Sequence, residues 1–176
     1  QDLRQTFAHA RAVPAMPILA CAIDSGGHHT ASVYGFTGER HQRHVWAIKG
    51  RGGAGVPIWP RRPARASRVR EKSPVYLVGV DTVKETTYAR LKLAEPGPGY
   101  CHLPAGRERE WCIQLTSERQ ATRYVKGRAV REWRLNGGAR NEALDCRVYA
   151  TAALHGLIAL GLRLNRSTEE LEAVPL

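Results

Sequence analysis

An apolar run that closes in an acidic residue and a glycine pair most constrains the fold of this chain. Residues 18–23 (ILACAI) are all apolar, and Asp24-Ser25-Gly26-Gly27 follows directly. Such a run, bounded by turn residues, is typical of a strand buried on both faces inside a parallel sheet. The sequence therefore predicts an α/β fold in which strands end in polar residues.

Two later segments repeat this pattern. Residues 45–48 precede Lys49-Gly50, and residues 75–80 precede Asp81. The segment 30–36 between the first two strands fits either a helix or a strand. Because α/β sheets bind ligands at the carboxyl edge of their strands, Asp24 and Asp81 are both expected at a ligand-binding edge.

A helix is predicted over residues 141–157 (NEALDCRVYATAALHGL). Asn141 is a good N-cap, Glu142 suits the first turn, and apolar residues recur at helical spacing. Asp145 projects from the apolar side of this helix, where a carboxylate needs a partner. Two interpretations remain open from the helix alone: a structural carboxylate, tolerated near the start of the helix or paired with an arginine, or a metal-binding or catalytic one.

The charge of the chain indicates a polyanionic partner. Lys and Arg number 27 against 16 Asp and Glu, a net charge of +11. Glycine, proline and arginine fill residues 50–73, which predicts a mobile basic loop. A solvated loop is the simpler interpretation, but in so basic a chain we favour contact of this loop with a phosphate backbone, through Arg61, Arg62 and Arg65.

The rest of the chain adds a hairpin and excludes several functions. Residues 124–135 alternate around Lys126-Gly127, so a hairpin is predicted, with Arg128, Arg131 and Arg134 on one basic face. The four cysteines are expected to be reduced, buried thiols. No apolar run is long enough to span a membrane, and the glycine-rich loop of P-loop nucleotide-binding proteins is absent.

After these exclusions, the residues best suited to catalysis are the carboxylates of this basic protein. Hydrolysis of a phosphodiester needs an activated water and neutralisation of the leaving oxygen, and clustered Asp and Glu oxygens hold the divalent cations that supply both. Asp24 at a strand end and Asp145 on a packed helix have the character of such ligands.

Four segments, in this order, resemble the large terminase subunit of lambda-like tailed phages, in its carboxyl-terminal nuclease part. They are residues 22–30 (AIDSGGHHT), 47–50 (AIKG), 77–84 (LVGVDTVK) and 140–146 (RNEALDC). The resemblance runs from about Pro17 to about Leu160.

The resemblance implies a ribonuclease-H-like fold and an endonuclease that cuts double-stranded DNA during genome packaging with Mg²⁺ or Mn²⁺. It implies that Asp24 and Asp145 are metal ligands and catalytic residues. Asp81 matches a family motif and is a third catalytic candidate, with the capping of the helix behind it as the alternative. Lys49 and Lys84 are placed to meet phosphate, unless they are ordinary surface lysines.

The resemblance also implies partners and a compartment. Members of the family work with a small terminase subunit and a portal, in the cytoplasm of the bacterial host, and no membrane contact is expected.

One departure from the family pattern affects these expectations. The family has an Asp-x-Gln pattern on the opening strand of the nuclease, and no such pattern precedes Asp24 here. We therefore expect residues 1–176 to form a single partial nuclease domain that lacks the opening strands and the packaging ATPase. The alternative to an active nuclease is a catalytically inactive prophage remnant that only binds DNA.

Overall fold

The computed structural model describes residues 3–8, 16–64 and 73–172, which form a mixed α/β fold. In chain order its elements are β1 (Thr6–Phe7), β2 (Met16–Pro17), β3 (Cys21–Asp24), α1 (Thr30–Gly38), a 3₁₀ turn (His41–Arg43), β4 (Val45–Arg51), β5 (Val75–Gly79), α2 (Asp81–Leu91), α3 (Arg109–Leu115), β6 (Glu118–Val125), β7 (Arg128–Leu135), α4 (Glu142–Ala159) and α5 (Leu164–Glu172).

A parallel sheet of three strands, in the order β3-β4-β5, lies at the centre of the described fold. Asp24 is in register with Ile48, and Ile48 is in register with Tyr76. Because all three strands are parallel, their carboxyl ends lie at one edge of the sheet. The α/β prediction is confirmed, and this edge carries both Asp24 and the start of α2.

Helices cover both faces of the sheet. Side chains alternate along β4, so Trp46 and Ile48 point to one face, where they pack against Ala152 and Ala153 of α4. On the opposite face Ala47 packs with Tyr34 of α1. The open choice at residues 30–36 is thereby settled as helix α1, because this segment covers the second face of the sheet.

The strand predicted over residues 18–23 differs in position and burial. β3 begins at Cys21 and includes Asp24, and its residues are half-buried or exposed rather than buried on both faces. Within the described residues β3 pairs with β4 alone, whereas β4 lies between two neighbours and is buried over residues 45–48. Strand order, which local sequence does not encode, decides which apolar run occupies the centre.

β6 and β7 form a separate two-stranded ribbon joined at Lys126-Gly127, which both have positive φ angles of 48° and 75°. The predicted hairpin is thus present, and it is longer than expected. The expected single basic face is wrong, because side chains alternate with a period of two along a strand. Arg128 and Arg134 share one face, and Arg131 lies on the other with Trp133, whose ring packs 5.0 Å from that of Tyr88.

The described half of the 50–73 segment is held against the sheet. Trp59 stacks on Tyr76 with ring centroids 4.4 Å apart, and Ile58 also packs on the core. Gly79 donates its backbone N–H to the carbonyl of Pro57 at 2.9 Å. The expectation of a loop without packed side chains therefore does not hold for residues 57–59, whereas residues 65–72 lie outside the described ranges.

Two further features concern the cysteines and the length of the helices. All four cysteines are free thiols, but only Cys101 is buried; Cys21 is half-buried, and Cys112 and Cys146 are exposed. Among the helices in the described ranges, none combines the length and the apolar character needed to cross a lipid bilayer.

Candidate active site at the carboxyl edge of the sheet

Asp24 ends β3 and points to the face of the sheet that α4 covers. Its Oδ1 atom accepts the backbone N–H of Gly26 at 2.8 Å, which fixes the turn after the strand. Its Oδ2 atom lies 3.5 Å from the hydroxyl group of Tyr149 on α4. Asp24 is exposed, so the second carboxylate oxygen is open to solvent as well as to Tyr149.

Asp145 lies in the first turns of α4, half-buried in the same region. Burial raises the pKa of Asp145, and the positive charge of Lys84 acts in the opposite direction. The negative charges of Glu118, Asp24 and Glu142 raise the pKa of Asp145 further. The charge of Asp24 thus acts on Asp145 in the direction that disfavours ionisation.

Tyr149 lies one helical turn after Asp145 and faces both carboxylates. Burial, and then the charges of Asp24 and Asp145, raise the pKa of Tyr149, so its hydroxyl group stays a neutral donor. β4 approaches this hydroxyl group closely at Gly50, where a methyl group would lie 3.1 Å from it. The absence of a side chain at residue 50 keeps this space for Tyr149.

A buried ion pair lies beside Asp145. Lys84 of α2 is 8% exposed and Glu118, the first residue of β6, is 6% exposed. The ammonium group of Lys84 donates to both carboxylate oxygens of Glu118, at 2.8 and 2.7 Å. Asn141 donates from Nδ2 to Glu118 Oε1 at 2.9 Å, and Asp145 donates its backbone N–H to the carbonyl of Asn141 at 2.9 Å.

This ion pair changes the interpretation of Lys84. A phosphate contact requires an exposed ammonium group, and that of Lys84 is buried and bonded to Glu118. Lys84 is accordingly neither a surface lysine nor open to a DNA backbone in this conformation.

Asp81 is the first residue of α2 and holds the loop that follows β4. Its Oδ2 atom accepts the backbone N–H of Gly53 at 2.8 Å, and no side-chain cap is formed at the start of α2. Asp81 follows β5, whereas Asp24 ends β3 on the other side of β4. Its observed contact is therefore structural, although it is not the helix cap that we weighed as the alternative.

The expected phosphate contacts are distributed over several surfaces. Lys49 is half-buried and, by the alternation of β4, points to the face opposite Asp24. Arg61 and Arg62 are exposed, and Arg65 lies outside the described residues. The structure does not bring Lys49 together with the two carboxylates.

Sequence reasoning missed three residues of this site: Tyr149, Glu118 and Asn141 as a side-chain donor. The spacing of four residues between Asp145 and Tyr149 was a usable signal, because it puts both on one helix face. Nothing in the sequence relates Lys84 to Glu118, which come together only through the packing of α2 against the base of the ribbon.

The carboxylates of Asp24 and Asp145 are suitable ligands for a hard cation, but they are only two in number. Carboxylate oxygens from Asp24 and Asp145 are ligands that Mg²⁺ and Mn²⁺ prefer, with water completing the coordination. Across residues 3–8, 16–64 and 73–172, no group of three or more His, Cys, Asp or Glu side chains is placed to hold a metal ion. Asp24 and Asp145 are therefore two candidate ligands without a third protein ligand among the described residues.

Comparison with known proteins places this chain in a family. The family described as "Terminase large subunit gpA, endonuclease domain" matches residues 1–168. The terminase large subunit of Escherichia phage lambda is 39% identical over 152 residues, which cover 79% of this chain and 22% of that protein. The terminase large subunit of Enterobacteria phage P21 is 35% identical over 154 residues, with the same coverage.

This chain therefore spans 22% of the length of the curated relatives that it matches. No solved structure gives a significant match. The match over residues 1–168, together with the two phage relatives, establishes that the chain belongs to the endonuclease-domain family of the terminase large subunit.

Proposed function

We propose that this chain is a divalent-metal-dependent endonuclease that cuts double-stranded DNA during the packaging of a phage genome. The observation that carries the proposal is the contact between Tyr149 of α4, one helical turn after Asp145, and Asp24 at the end of β3, whose Oδ2 atom lies 3.5 Å from the Tyr149 hydroxyl group. Family membership supports the nuclease activity, and this geometry supports the identity of the residues.

Asp24 and Asp145 would hold Mg²⁺ or Mn²⁺ between the strand end and the helix. When bound, the cation lowers the pKa of a coordinated water and neutralises charge on the phosphate. Gly26 fixes one oxygen of Asp24 through its N–H, which leaves the other oxygen directed toward the shared space. Tyr149 supplies a neutral donor there.

Two exposed basic surfaces are suited to the phosphate backbone of DNA. One is the ribbon face that carries Arg119, Arg123, Arg128 and Arg134, as the register of β6 with β7 shows. On this face Glu132 pairs with Arg123 and Arg134, so Arg119 and Arg128 are the better candidates for phosphate contacts. The other surface carries Arg61 and Arg62 and leads into the segment that contains Arg65.

The proposal extends to the fold family and to the assembly. The three parallel strands covered by α1 and α4 are compatible with a ribonuclease-H-like arrangement, which we propose for the domain. We also propose that a small terminase subunit and a portal are its partners, and that it acts in the cytoplasm of the bacterial host.

Nicking of supercoiled plasmid with Mn²⁺ or Mg²⁺ tests the proposal. We expect nicking that chelation by EDTA abolishes and that Asp24→Asn or Asp145→Asn each lowers by more than about 100-fold, since the loss of even an outer-sphere partner costs 10–100-fold. Glu142→Gln is the matched control, because it removes an exposed acid from the same helix turn.

The competing function predicts a different result in the same experiment. A chain that retains plasmid in a gel shift without metal, and that nicks it under no metal condition, would be the inactive DNA-binding remnant. Nicking that survives both asparagine substitutions would remove Asp24 and Asp145 from the site.

A further inference from the structure

A buried lysine next to a metal-binding carboxylate poses an electrostatic problem. An ammonium group and a divalent cation compete for the same oxygen atoms, because both are attracted to the same negative charge. Lys84, which is 8% exposed, is linked to Asp145 by three hydrogen bonds: it donates to Glu118, Glu118 accepts from Asn141 Nδ2 at 2.9 Å, and the Asn141 carbonyl accepts the backbone N–H of Asp145 at 2.9 Å. Burial raises the pKa of Asp145, and the positive charge of Lys84 acts to lower it, in keeping with this proximity. Without another partner, the buried ammonium group of Lys84 would therefore form an ion pair with the Asp145 carboxylate.

Glu118 prevents an ion pair between Lys84 and Asp145 by accepting hydrogen bonds from the Lys84 ammonium group. Its two oxygens accept from Lys84 at 2.8 and 2.7 Å, which is the short distance expected for charge-assisted hydrogen bonds. The pair is buried on both sides, with side-chain exposures of 10% and 5%, so that water screens it little.

The backbone and side chain of Glu118 are held at several points. The hydroxyl group of Tyr88 donates to the carbonyl of Glu118 at 2.6 Å and accepts its N–H at 3.0 Å. Asn141 donates to Oε1 at 2.9 Å, directly before α4 begins. Glu118 is therefore fixed both to α2 and to the first turn of the helix that carries Asp145.

We propose that Glu118 is a positioning residue that keeps the ammonium group of Lys84 away from Asp145 and thereby leaves the Asp145 carboxylate free to bind a divalent cation. Asn141 assists by tying Glu118 to the start of α4. The inference rests on the proposed function, because it gives Asp145 the role of a metal ligand. It assigns Lys84 to this buried pair instead of to DNA.

Mn²⁺ affinity, measured by isothermal titration calorimetry on the full chain, tests this role without relying on catalysis. Glu118→Gln keeps the shape of the side chain but releases the ammonium group. We expect it to weaken Mn²⁺ binding by about 10- to 100-fold, as the loss of outer-sphere partners does. Lys84→Met in the same chain, giving Lys84→Met/Glu118→Gln, is expected to restore binding to near the wild-type affinity.

A stability measurement on the same variants separates positioning from a merely structural role, because replacing both charges of a buried pair also restores stability. If the pair only stabilised the fold, a Glu118→Gln chain that urea titration shows to be folded under the calorimetric conditions would bind Mn²⁺ as tightly as the wild type. Glu142→Gln is the matched control, because it also removes a negative charge near Asp145 but releases no buried cation, and its affinity should stay close to that of the wild type.

Lys84→Met alone keeps the inference testable if Glu118→Gln does not fold. It should bind Mn²⁺ at least as tightly as the wild type, and a tenfold weaker affinity would overturn the inference. Binding that depends on Asp145 but is unaffected by Glu118→Gln would also overturn it, and would leave the proposed function standing. Binding that Asp145→Asn does not change would instead overturn the metal site of the proposed function.

Discussion

The hydroxyl group of Tyr149 lies 3.5 Å from the Oδ2 atom of Asp24, although 125 residues separate the two along the chain. This contact joins the end of β3 to α4. Tyr149 also packs against both core clusters that α4 helps to form. One side chain thus contributes to the core with its ring and to the candidate site with its hydroxyl group.

Substitutions at Tyr149 should separate these two contributions. Because the contact with Asp24 is long, Tyr149→Phe should lower the free energy of unfolding by less than about 1 kcal/mol. Tyr149→Ala also removes the ring from the core and should cost about 3 kcal/mol. Urea denaturation measures both changes in the free energy of unfolding. Equal losses for the two variants would show that the ring of Tyr149 contributes no stability beyond that of its hydroxyl group.

The stability of Asp145→Asn should depend on pH. Burial raises the pKa of Asp145 in the folded chain, so that its ionised form destabilises the fold, and this cost is relieved as the pH falls through the raised folded pKa. Asp145→Asn should therefore melt at a higher temperature than the wild type at pH 7. The difference should shrink as the pH approaches the unfolded value of about 3.9.

Glu142 supplies a control of opposite sign. Its own backbone N–H and then Arg140 lower the pKa of Glu142, so its stabilising effect is present above the unfolded pKa and is lost as the pH falls through the folded pKa. Glu142→Gln should melt below the wild type at pH 7 and converge with it in acid. If Asp145→Asn melted below the wild type at pH 7, as Glu142→Gln is expected to do, the assignment of Asp145 as a destabilising carboxylate would be wrong.

Substitution of Asp81 should affect the loop after β4 more than the chemistry. Asp81→Ala removes the acceptor for Gly53 N–H and should cost about 1–2 kcal/mol in a urea titration. Asp81→Asn keeps an acceptor oxygen and should retain both stability and plasmid nicking. Loss of nicking in a folded Asp81→Asn chain would show a catalytic role instead.

Neutralising the arginines of the 50–73 segment should flatten the salt dependence of DNA binding. Each phosphate contact contributes about 0.9 to the slope of log K against log salt concentration. Arg61→Ala, Arg62→Ala and Arg65→Ala together should reduce that slope by about 2–3, as measured by fluorescence anisotropy over a salt series. An unchanged slope would remove this segment from the interface.

The two faces of the β6–β7 ribbon allow an internally controlled test. Arg119→Ala combined with Arg128→Ala should lower the salt slope by about 2, because both residues lie on the basic face. Arg131→Ala, on the opposite face, should leave the slope nearly unchanged. An equal effect of Arg131→Ala would show that the basic face is not the DNA-binding surface.

Much of the fold could be predicted because local patterns specify local structure. The apolar runs at residues 45–48 and 75–80 became β4 and β5, and the helical spacing from residue 142 onward became α4. The turn at Lys126-Gly127 was identified because a tight hairpin needs positive φ angles. Predictions failed where elements distant in the sequence determine burial, as with the partial exposure of β3 and the packing of Trp59 against Tyr76.

The features of the candidate site also fall into those that local sequence predicts and those that tertiary packing sets. The sequence by itself determined that Asp24 follows a strand, that Asp145 occupies an apolar helix face, and that the chain carries the motifs of the terminase endonuclease family. Only the tertiary structure decided that Tyr149 faces both carboxylates, that Asp81 holds Gly53, and that Lys84 is buried against Glu118. The physical reason is that hydrophobic periodicity fixes which face of an element turns inward, whereas the partner of a buried charge is set by the packing of elements distant in sequence.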